Sequence, residues 1–278
     1  MEITAKSTFA SKLIVTIFAV SLLLLFLFPI YWIVVISLRF NVDIFTFPPN
    51  IIFTPTFDAY RNVMARSDFV GAFFNSLIVA VSTTLLCLIV GLTAGYSVVT
   101  FDFRGKRLLQ ILIVMLRMAP AISMVIPLYM IFASLRLVNT RASVIMSLVA
   151  FLLPFTVWLL LGYLRDVPKD LIHSALIDGC GYLGILAKIV VPLTTPGIAA
   201  VGILVFILSW NEFLISSVMV SAANQTLPVL IRAFLSEATT IWNEVAAVGV
   251  IISIPTVLVT LFCQKYIVGG LTMGAIKG

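Results

Sequence analysis

The sequence predicts an all-α membrane protein with six transmembrane helices, and three observations carry this prediction. Of the 278 residues, 62% are hydrophobic and only 10% are charged, whereas soluble domains carry about 25% charged residues. Apolar runs recur along the chain, and several reach the roughly 20 residues needed to cross a bilayer. All seven lysines fall in the termini, in alternate connecting segments or, for Lys265, at the end of the last apolar run, as expected of a chain that crosses a membrane several times.

Six candidate spans are separated by short polar segments. They cover roughly residues 13–38, 72–99, 109–134, 143–163, 197–220 and 245–266. The first run is too long for the core of a signal peptide, which has roughly 7–15 apolar residues, so we expect an uncleaved span. In the second span, Gly91 and Gly95 have the four-residue spacing typical of close helix packing. In the third, Pro120 and Pro127 are expected to bend the helix.

The basic residues predict which side of the membrane each segment faces. With the N-terminus in the cytoplasm, all seven lysines lie on the cytoplasmic side, which agrees with the positive-inside tendency. Both termini and the segments 101–107 and 165–196 are then cytoplasmic. The expected organisation is a cytoplasmic N-terminus at 1–12 and one transmembrane domain at 13–278, with its core at about 72–267 and a tail at 268–278.

Residues 165–196 are the longest polar-bearing segment between two apolar runs. We predict two short helices here, with Asp166 as the N-cap of the first and a left-handed Gly179 at its end. Pro192 is expected to limit the second helix. Ile172 and Ala175 fall on one apolar face. An amphipathic hairpin of this kind has no core of its own, so we expect it to dock onto a membrane surface, the rest of the chain or another protein.

The residue types present exclude several functional classes. The chain has one histidine and three cysteines. Cys87 and Cys263 lie in apolar runs, and Cys180 lies in the hairpin. This pattern indicates neither a metal site nor a disulfide framework. The sequence contains no G-x-x-x-x-G-K-[S/T] phosphate loop. Its net charge of +6 reports membrane topology rather than binding to nucleic acid. We expect no catalytic residue, metal or cofactor in this chain, so energy for uphill transport would enter through a partner.

The hairpin resembles the cytoplasmic coupling motif of ABC importer permeases. That motif runs Glu-Ala-Ala, then Asp-Gly three residues on, then Ile-x-x-Pro. The matching residues here are Ser174-Ala175, Asp178-Gly179, Ile189 and Pro192. His173 stands where the family has Glu, and this departure removes a carboxylate that can engage the ATPase in the family.

Four further motifs occur in the order found in the MalG-type sugar permeases. They are Leu116-Arg117-Met118-x-Pro120 with Ile126-Pro127-Leu128, Trp210-Asn211-Glu212-Phe213-Leu214, Thr226-Leu227-Pro228, and the tail Gly270-Leu271-Thr272-x-Gly274-Ala275-x-Lys277-Gly278. The resemblance covers nearly the whole chain from about Asn75 onward. It implies the type I ABC importer permease fold and a multi-pass location in the plasma (inner) membrane of a prokaryote.

The resemblance also implies partners and contact residues. The partners are a second, homologous permease subunit in a heterodimer, two ATP-binding subunits that hold ATP and Mg, an extracytoplasmic sugar-binding protein, and membrane lipid. The implied ATPase-coupling residues are Asp170, His173, Ser174, Ala175, Asp178, Gly179, Gly181, Ile189 and Pro192. The implied ATPase-contacting tail residues are Gly274, Ala275, Lys277 and Gly278. The implied contacts to the binding protein are Thr226, Leu227 and Pro228.

Three polar residues of the predicted spans are candidates for the pathway. Arg117 at membrane depth either forms a structural pair or lies near the pathway, since a charge there is costly without a partner or water. Asn211 and Glu212 either line the pathway and meet the sugar or anchor the helix at the interface.

The leading hypothesis is therefore a permease subunit of an ATP-driven, binding-protein-dependent sugar importer that works by alternating access. Two alternatives come from other classes. A homo-oligomeric secondary carrier or channel for a small solute would transport without an ATPase, and the scarcity of intramembrane acids counts against it. A scaffold or membrane enzyme is the third hypothesis, and the enzyme lacks a catalytic constellation. The sequence does not name the sugar.

Overall fold

The computed structural model describes residues 9–48, 52–66, 68–235 and 240–273, which form helices and connecting loops without a strand. The α-helices are α1 (Phe9–Ser37), α2 (Asp58–Ala65), α3 (Phe69–Thr100), α4 (Lys106–Met118), α5 (Ala121–Ser134), α6 (Arg141–Arg165), α7 (Lys169–Ile177), α8 (Tyr182–Ile185), α9 (Val191–Trp210), α10 (Leu214–Met219), α11 (Leu227–Leu230) and α12 (Trp242–Met273). Short 3₁₀ turns lie at Asn41–Phe45, Ala222–Asn224 and Ile231–Phe234.

Five helices among the described residues are long and apolar enough to cross a membrane, and a bent helix pair makes a sixth span if it is counted as one. The first, second, fourth and sixth predicted spans correspond to α1, α3, α6 and α12. The prediction of an all-α membrane protein is confirmed, while two of the six predicted spans differ from the structure.

The third predicted span is not one helix. It consists of α4 and α5, which meet at an angle of 100°. Pro120 explains the break, because proline disfavours a helical backbone at the residue before it. Ala119 accordingly has an extended conformation, with φ −65° and ψ 128°, and Pro120 then precedes the first residue of α5.

The fifth predicted span, 197–220, was wrong at both ends. The helix starts at Tyr182 and runs without interruption to Trp210, so Pro192 does not end it. A π-helical segment, Leu186–Val190, links α8 to α9 directly before this proline. Its wider turn accommodates a residue that lacks an amide hydrogen and crowds the preceding turn. Residues 214–219 form the separate short helix α10.

The chain divides into two compact units. One unit comprises residues 1–66 and 232–251. Within its described part, the Asn243 side-chain amide donates to the Arg39 carbonyl at 3.0 Å, and the Asn62 amide donates to Glu244 Oε1 at 3.0 Å. Glu244 is buried, and this hydrogen bond satisfies one of its carboxylate oxygens.

The other unit comprises residues 67–231 and 252–278, and α3, α6 and α9 form its centre. Gly91 and Gly95 lie where α3 meets α6, as the sequence predicted. A Cβ at Gly91 would stand 2.9 Å from Thr156 Cγ2, and one at Gly95 would stand 2.8 Å from Leu164 Cδ1. The two glycines therefore allow the helix backbones a close approach that a side chain would prevent.

Candidate functional site

The candidate coupling site is the hairpin turn between α7 and α8. Gly179 has φ +81° at this turn, which is the left-handed conformation that glycine adopts most readily. The Gly179 amide donates to the Leu176 carbonyl at 3.1 Å, and the Cys180 amide donates to the Ala175 carbonyl at 2.9 Å. This pair of bonds is the Schellman arrangement, which satisfies the last carbonyls of a helix. The predicted helix stop at Gly179 is confirmed, and it fixes the shape of the corner.

The beginning of α7 differs from the prediction. The helix starts at Lys169 with Pro168 as its N-cap, and Asp166 instead follows the last residue of α6. Asp170 lies in the first turn of α7, where a negative charge interacts favourably with the exposed amides.

The implied coupling residues divide into an exposed and a packed set. Asp170, His173, Ser174, Asp178, Gly179, Gly181 and Pro192 are exposed. Ala175 is buried and Ile189 is half-buried, and both belong to the apolar core of the subunit. These two residues therefore pack against the rest of this chain, and their part in coupling stays a prediction.

Sequence reasoning missed two large apolar side chains at the corner. Ile177 is 86% exposed and Leu183 is 77% exposed, on either side of the Gly179 turn. Ile177 shares a helix face with His173 and Ser174, because three- and four-residue spacings bring side chains together on a helix. An apolar residue on the polar face of α7 is the signal that would have found it.

The hairpin is attached to its own subunit on its other face. Ile172, Ala175 and Ile185 are buried together with Leu160 and Leu164 of α6 in one apolar cluster. The expectation that the hairpin lacks a core of its own is therefore correct for the isolated segment, and the rest of the chain supplies that core. The corner and the exposed face of α7 remain free for a partner.

A second attachment fixes the start of α8. The ring of Tyr182 meets the ring of Phe101, which follows α3, with centroids 4.8 Å apart in an edge-to-face arrangement. In the same loop Lys106 Nζ donates to Asp102 Oδ1 at 2.9 Å. This hydrogen bond, together with the positive charge of Lys106, lowers the pKa of the Asp102 carboxyl.

Arg117 lies at the end of α4 against an aromatic ring. Its guanidinium carbon is 3.8 Å from the centroid of the Phe155 ring, a cation–π geometry. The side chain is exposed at the surface of this subunit, whereas Phe155 is buried. Arg117 therefore has an aromatic partner within the chain, and a place near the pathway stays a prediction.

Asn211 and Glu212 have different surroundings. Glu212 accepts hydrogen bonds from the Ile215 amide at 2.6 Å and from the Ser216 amide at 3.0 Å, and also from the Ser216 hydroxyl at 2.9 Å. It therefore caps the N-terminus of α10, where a carboxylate satisfies unpaired amides. Asn211 is exposed and donates to the Ile207 carbonyl at 2.9 Å.

The implied contacts to a binding protein lie in a segment that packs into this chain, and the contact itself stays a prediction. Thr226, Leu227 and Pro228 are all buried within this chain, and the Leu227 amide donates to the Ser76 hydroxyl at 2.7 Å. Their side chains are therefore not available to a partner here, because they hold the loop against α3. The exposed part of the same loop is Ser221 with the two alanines of the 3₁₀ turn Ala222–Asn224, which present little side chain.

A polar network that the sequence did not reveal fixes this loop. The buried Asn75 amide donates to the Gln225 carbonyl at 3.0 Å, and its Oδ1 accepts from Arg141 Nε at 2.7 Å. Asn139, which has a left-handed backbone with φ 63°, accepts from the Ser221 amide and hydroxyl through Oδ1, both at 2.9 Å. The loop is therefore bonded at both ends, to α3 and to the link before α6.

The tail residues Gly274, Ala275, Lys277 and Gly278 lie outside the described residues. Within the described ranges, histidine, cysteine, aspartate and glutamate form no group of three or more that would hold a metal ion. The features that remain for a function are the exposed corner, the loop bonded to Asn75 and Asn139, and the helices between them.

Comparison with known proteins places these features in a family. Residues 87–272 match the family described as "Binding-protein-dependent transport system inner membrane component". The trehalose/maltose transport system permease protein MalG of Thermococcus litoralis is 34% identical over 271 residues, which cover 96% of this chain and 97% of the relative. The trehalose transport system permease protein SugB of Mycobacterium tuberculosis is 35% identical over 257 residues, covering 91% and 93%.

A solved structure has a similar fold. It belongs to a bacterial ABC transporter involved in the import of the acidic polysaccharide alginate, and the match has a TM-score of 0.80. The two chains are 21% identical, and the match covers 96% of this chain and 99% of the other. At this identity the similarity supports the fold of the chain and not its substrate.

Proposed function

The chain belongs to the family of binding-protein-dependent transport system inner membrane components, and from this premise we propose that it is a permease subunit of an ATP-driven importer that carries a sugar. It is a multi-pass protein of the inner membrane. Two relatives belong to transport systems for trehalose and maltose or for trehalose, and each is similar to more than nine-tenths of this chain. They support a carbohydrate substrate. The same relatives favour this function over a homo-oligomeric carrier or channel.

The observation that carries the proposal is the corner at Gly179. A helix that ends in a defined turn, flanked by exposed Ile177 and Leu183, has the shape of a protruding contact between two proteins. Exposed apolar groups of this size are typical of interaction surfaces. Because the inner face of the hairpin packs on α6, a force applied to the corner is transmitted to the transmembrane helices.

The mechanism proposed for this geometry is alternating access. Two ATP-binding subunits close on ATP and carry the corners of this chain and of a second, homologous permease chain toward each other. The helices attached to each hairpin move with it, the outer side opens to a docked binding protein, and the sugar enters. Hydrolysis of ATP then restores the inward-facing state. This chain contributes the pathway and the coupling, and the partners contribute the bond-breaking chemistry.

The charge distribution supports the proposed orientation. Lys106 begins α4, and Lys169 and Lys188 lie in the hairpin on either side of the corner; the positive-inside tendency assigns both segments to the cytoplasm, where ATP is found. The loop fixed by Asn75 and Asn139 lies on the opposite side in this topology. A preformed outer loop suits docking of a binding protein, since little ordering has to accompany the association.

The experiment is charge reversal at the corner, Asp178→Lys, in the assembled transporter. We expect the ATPase subunits to dissociate during purification and sugar uptake to fall at least tenfold. Arg104→Glu is the matched control, because it reverses an exposed charge in the loop before α4, outside the corner. If Asp178→Lys assembles and transports as well as Arg104→Glu, the coupling role assigned to this corner is wrong.

A further inference from the structure

A cavity of about 760 Å³ lies between α4 and α6. Its lining is polar at the start of α4 and at the end of α6, and mostly apolar elsewhere. The polar lining residues are Arg107, Gln110, Arg165 and Asp166, and the apolar part includes Met115 and Trp158. None of the residues that the sequence analysis assigned to a partner or to the sugar lines this cavity.

The two helices run antiparallel along the cavity. At one end, Arg117 of α4 lies over Phe155 of α6. Arg107 precedes Arg117 by ten residues on α4, and Arg165 follows Phe155 by ten residues on α6. At a rise of about 1.5 Å per residue, Arg107 and Arg165 each lie about 15 Å from the contact between Arg117 and Phe155. The cavity therefore has a polar end with two arginines and a long apolar body.

The polar end carries an excess of positive charge. Two arginines face one carboxylate in the lining, and neither arginine has an ion pair or hydrogen bond with the described residues. Planar guanidinium groups bind phosphate through paired hydrogen bonds. Two such groups at the mouth of one cavity therefore recognise a phosphate or a similar anion.

The apolar body of the cavity favours one kind of chemical group attached to that anion. A sugar in this space would leave most of its hydroxyl groups without partners, which is unfavourable in a buried site. A hydrocarbon chain instead matches Ile111, Val114 and Trp158 along the wall. Basic pockets between transmembrane helices near the cytoplasmic surface bind acidic lipid headgroups in other membrane proteins.

We propose that the cavity binds one anionic phospholipid of the cytoplasmic leaflet, with its phosphate against Arg107 and Arg165 and one acyl chain along the apolar body. The lipid fills the space between α4 and α6 next to the 100° break after Met118. It thereby holds α4 against the helix that carries the coupling hairpin. The proposal is independent of the sugar and needs only the predicted topology.

Trp158 provides the test, because it lines the cavity and is 49% exposed in this chain. The assembled transporter is placed in nanodiscs of phosphatidylcholine that contain a fixed fraction of acyl-brominated phosphatidylglycerol or acyl-brominated phosphatidylcholine. Bromine quenches tryptophan fluorescence at short range. The fluorescence of Trp158 is obtained by subtracting the fluorescence of the Trp158→Phe complex from that of the wild-type complex. This subtraction removes the contribution of all other tryptophans.

We expect at least twofold stronger quenching of Trp158 by the brominated phosphatidylglycerol than by the phosphatidylcholine. The double variant Arg107→Gln/Arg165→Gln should reduce this ratio to one. The control variant Arg104→Gln should keep the ratio, because Arg104 is a nearby basic residue that does not line the cavity.

Equal quenching by the two lipids in the wild type would overturn the proposal, since the cavity would then hold bulk lipid. Absence of quenching by either lipid would overturn it too, since another protein segment would fill the space. Uptake of sugar, measured separately, tests the proposed function and does not enter this readout.

Discussion

The ring of Tyr163 on α6 lies directly on the backbone of Gly197 on α9, and a Cβ at Gly197 would overlap that ring. Gly197 is buried, whereas the Tyr163 ring is half-buried and also lines the cavity between α4 and α6. The two helices that leave the hairpin, one at each end, are thus held together by an aromatic side chain seated on a glycine.

Gly197→Ala is therefore expected to destabilise the subunit. Adding a methyl group to a packed contact of this kind costs about 1–3 kcal/mol, because side chain or backbone has to shift. We expect a lower thermal unfolding midpoint of the purified complex. Gly71→Ala is the matched control, because a Cβ at Gly71 on α3 has no atom within 4 Å and should leave the midpoint unchanged. Equal midpoints for the two variants would contradict the packing seen at Tyr163.

The capping role of Glu212 leads to a second prediction. Glu212→Ala removes three accepted hydrogen bonds at the start of α10, and loss of a helix cap costs about 0.5–2 kcal/mol. We expect reduced stability with an unchanged apparent affinity for sugar in uptake assays. Glu212→Gln keeps a carbonyl acceptor and should lose less stability. A specific rise in the sugar concentration for half-maximal uptake, at unchanged stability, would instead place Glu212 in the pathway.

The sequence predicted what depends on local pattern. Hydropathy located four of the six spans, the spacing of Gly91 and Gly95 predicted their packing, and Gly179 predicted the left-handed turn. These features follow from residue type and helical periodicity, which short stretches of sequence contain.

The sequence did not predict some local exceptions to helix rules, nor one contact between distant segments. Pro192 should end a helix by local rules, yet the π-helical segment before it keeps the helix continuous. Glu212 was assigned to the pathway or the interface, whereas its partners are amides that only the fold of α10 brings near. The burial of Leu227 depends on a distant contact, since its amide donates to the Ser76 hydroxyl, and the contact of this segment with a binding protein stays a prediction.

Asn139 provides a third prediction, which separates backbone from side-chain effects. Asn139→Ala puts an alanine, which has no polar side chain, into a left-handed backbone conformation. It also removes both hydrogen bonds to Ser221. We expect the free energy of unfolding to fall by about 1–2 kcal/mol. Asn139→Gly removes the bonds but tolerates the backbone. If the bonds position the outer loop, both variants should weaken uptake driven by the binding protein, and only the alanine variant should lower the unfolding midpoint strongly. Full uptake by both variants would show that the loop does not need these bonds.

Cys180 allows a test of topology and of docking with one reagent. It is exposed at the corner, directly after Gly179, whereas Cys87 is buried and Cys263 is only partly accessible. A membrane-impermeant maleimide should label Cys180 in inside-out vesicles from which the ATPase subunits have been stripped, and not in right-side-out vesicles. Adding the ATPase subunits back should protect the thiol, because an occupied corner excludes the reagent.

The Cys180→Ser variant measures the background labelling of the two remaining cysteines. Labelling from the outer face would reverse the assigned orientation, and undiminished labelling in the assembled complex would mean that the corner faces solvent and not the ATPase.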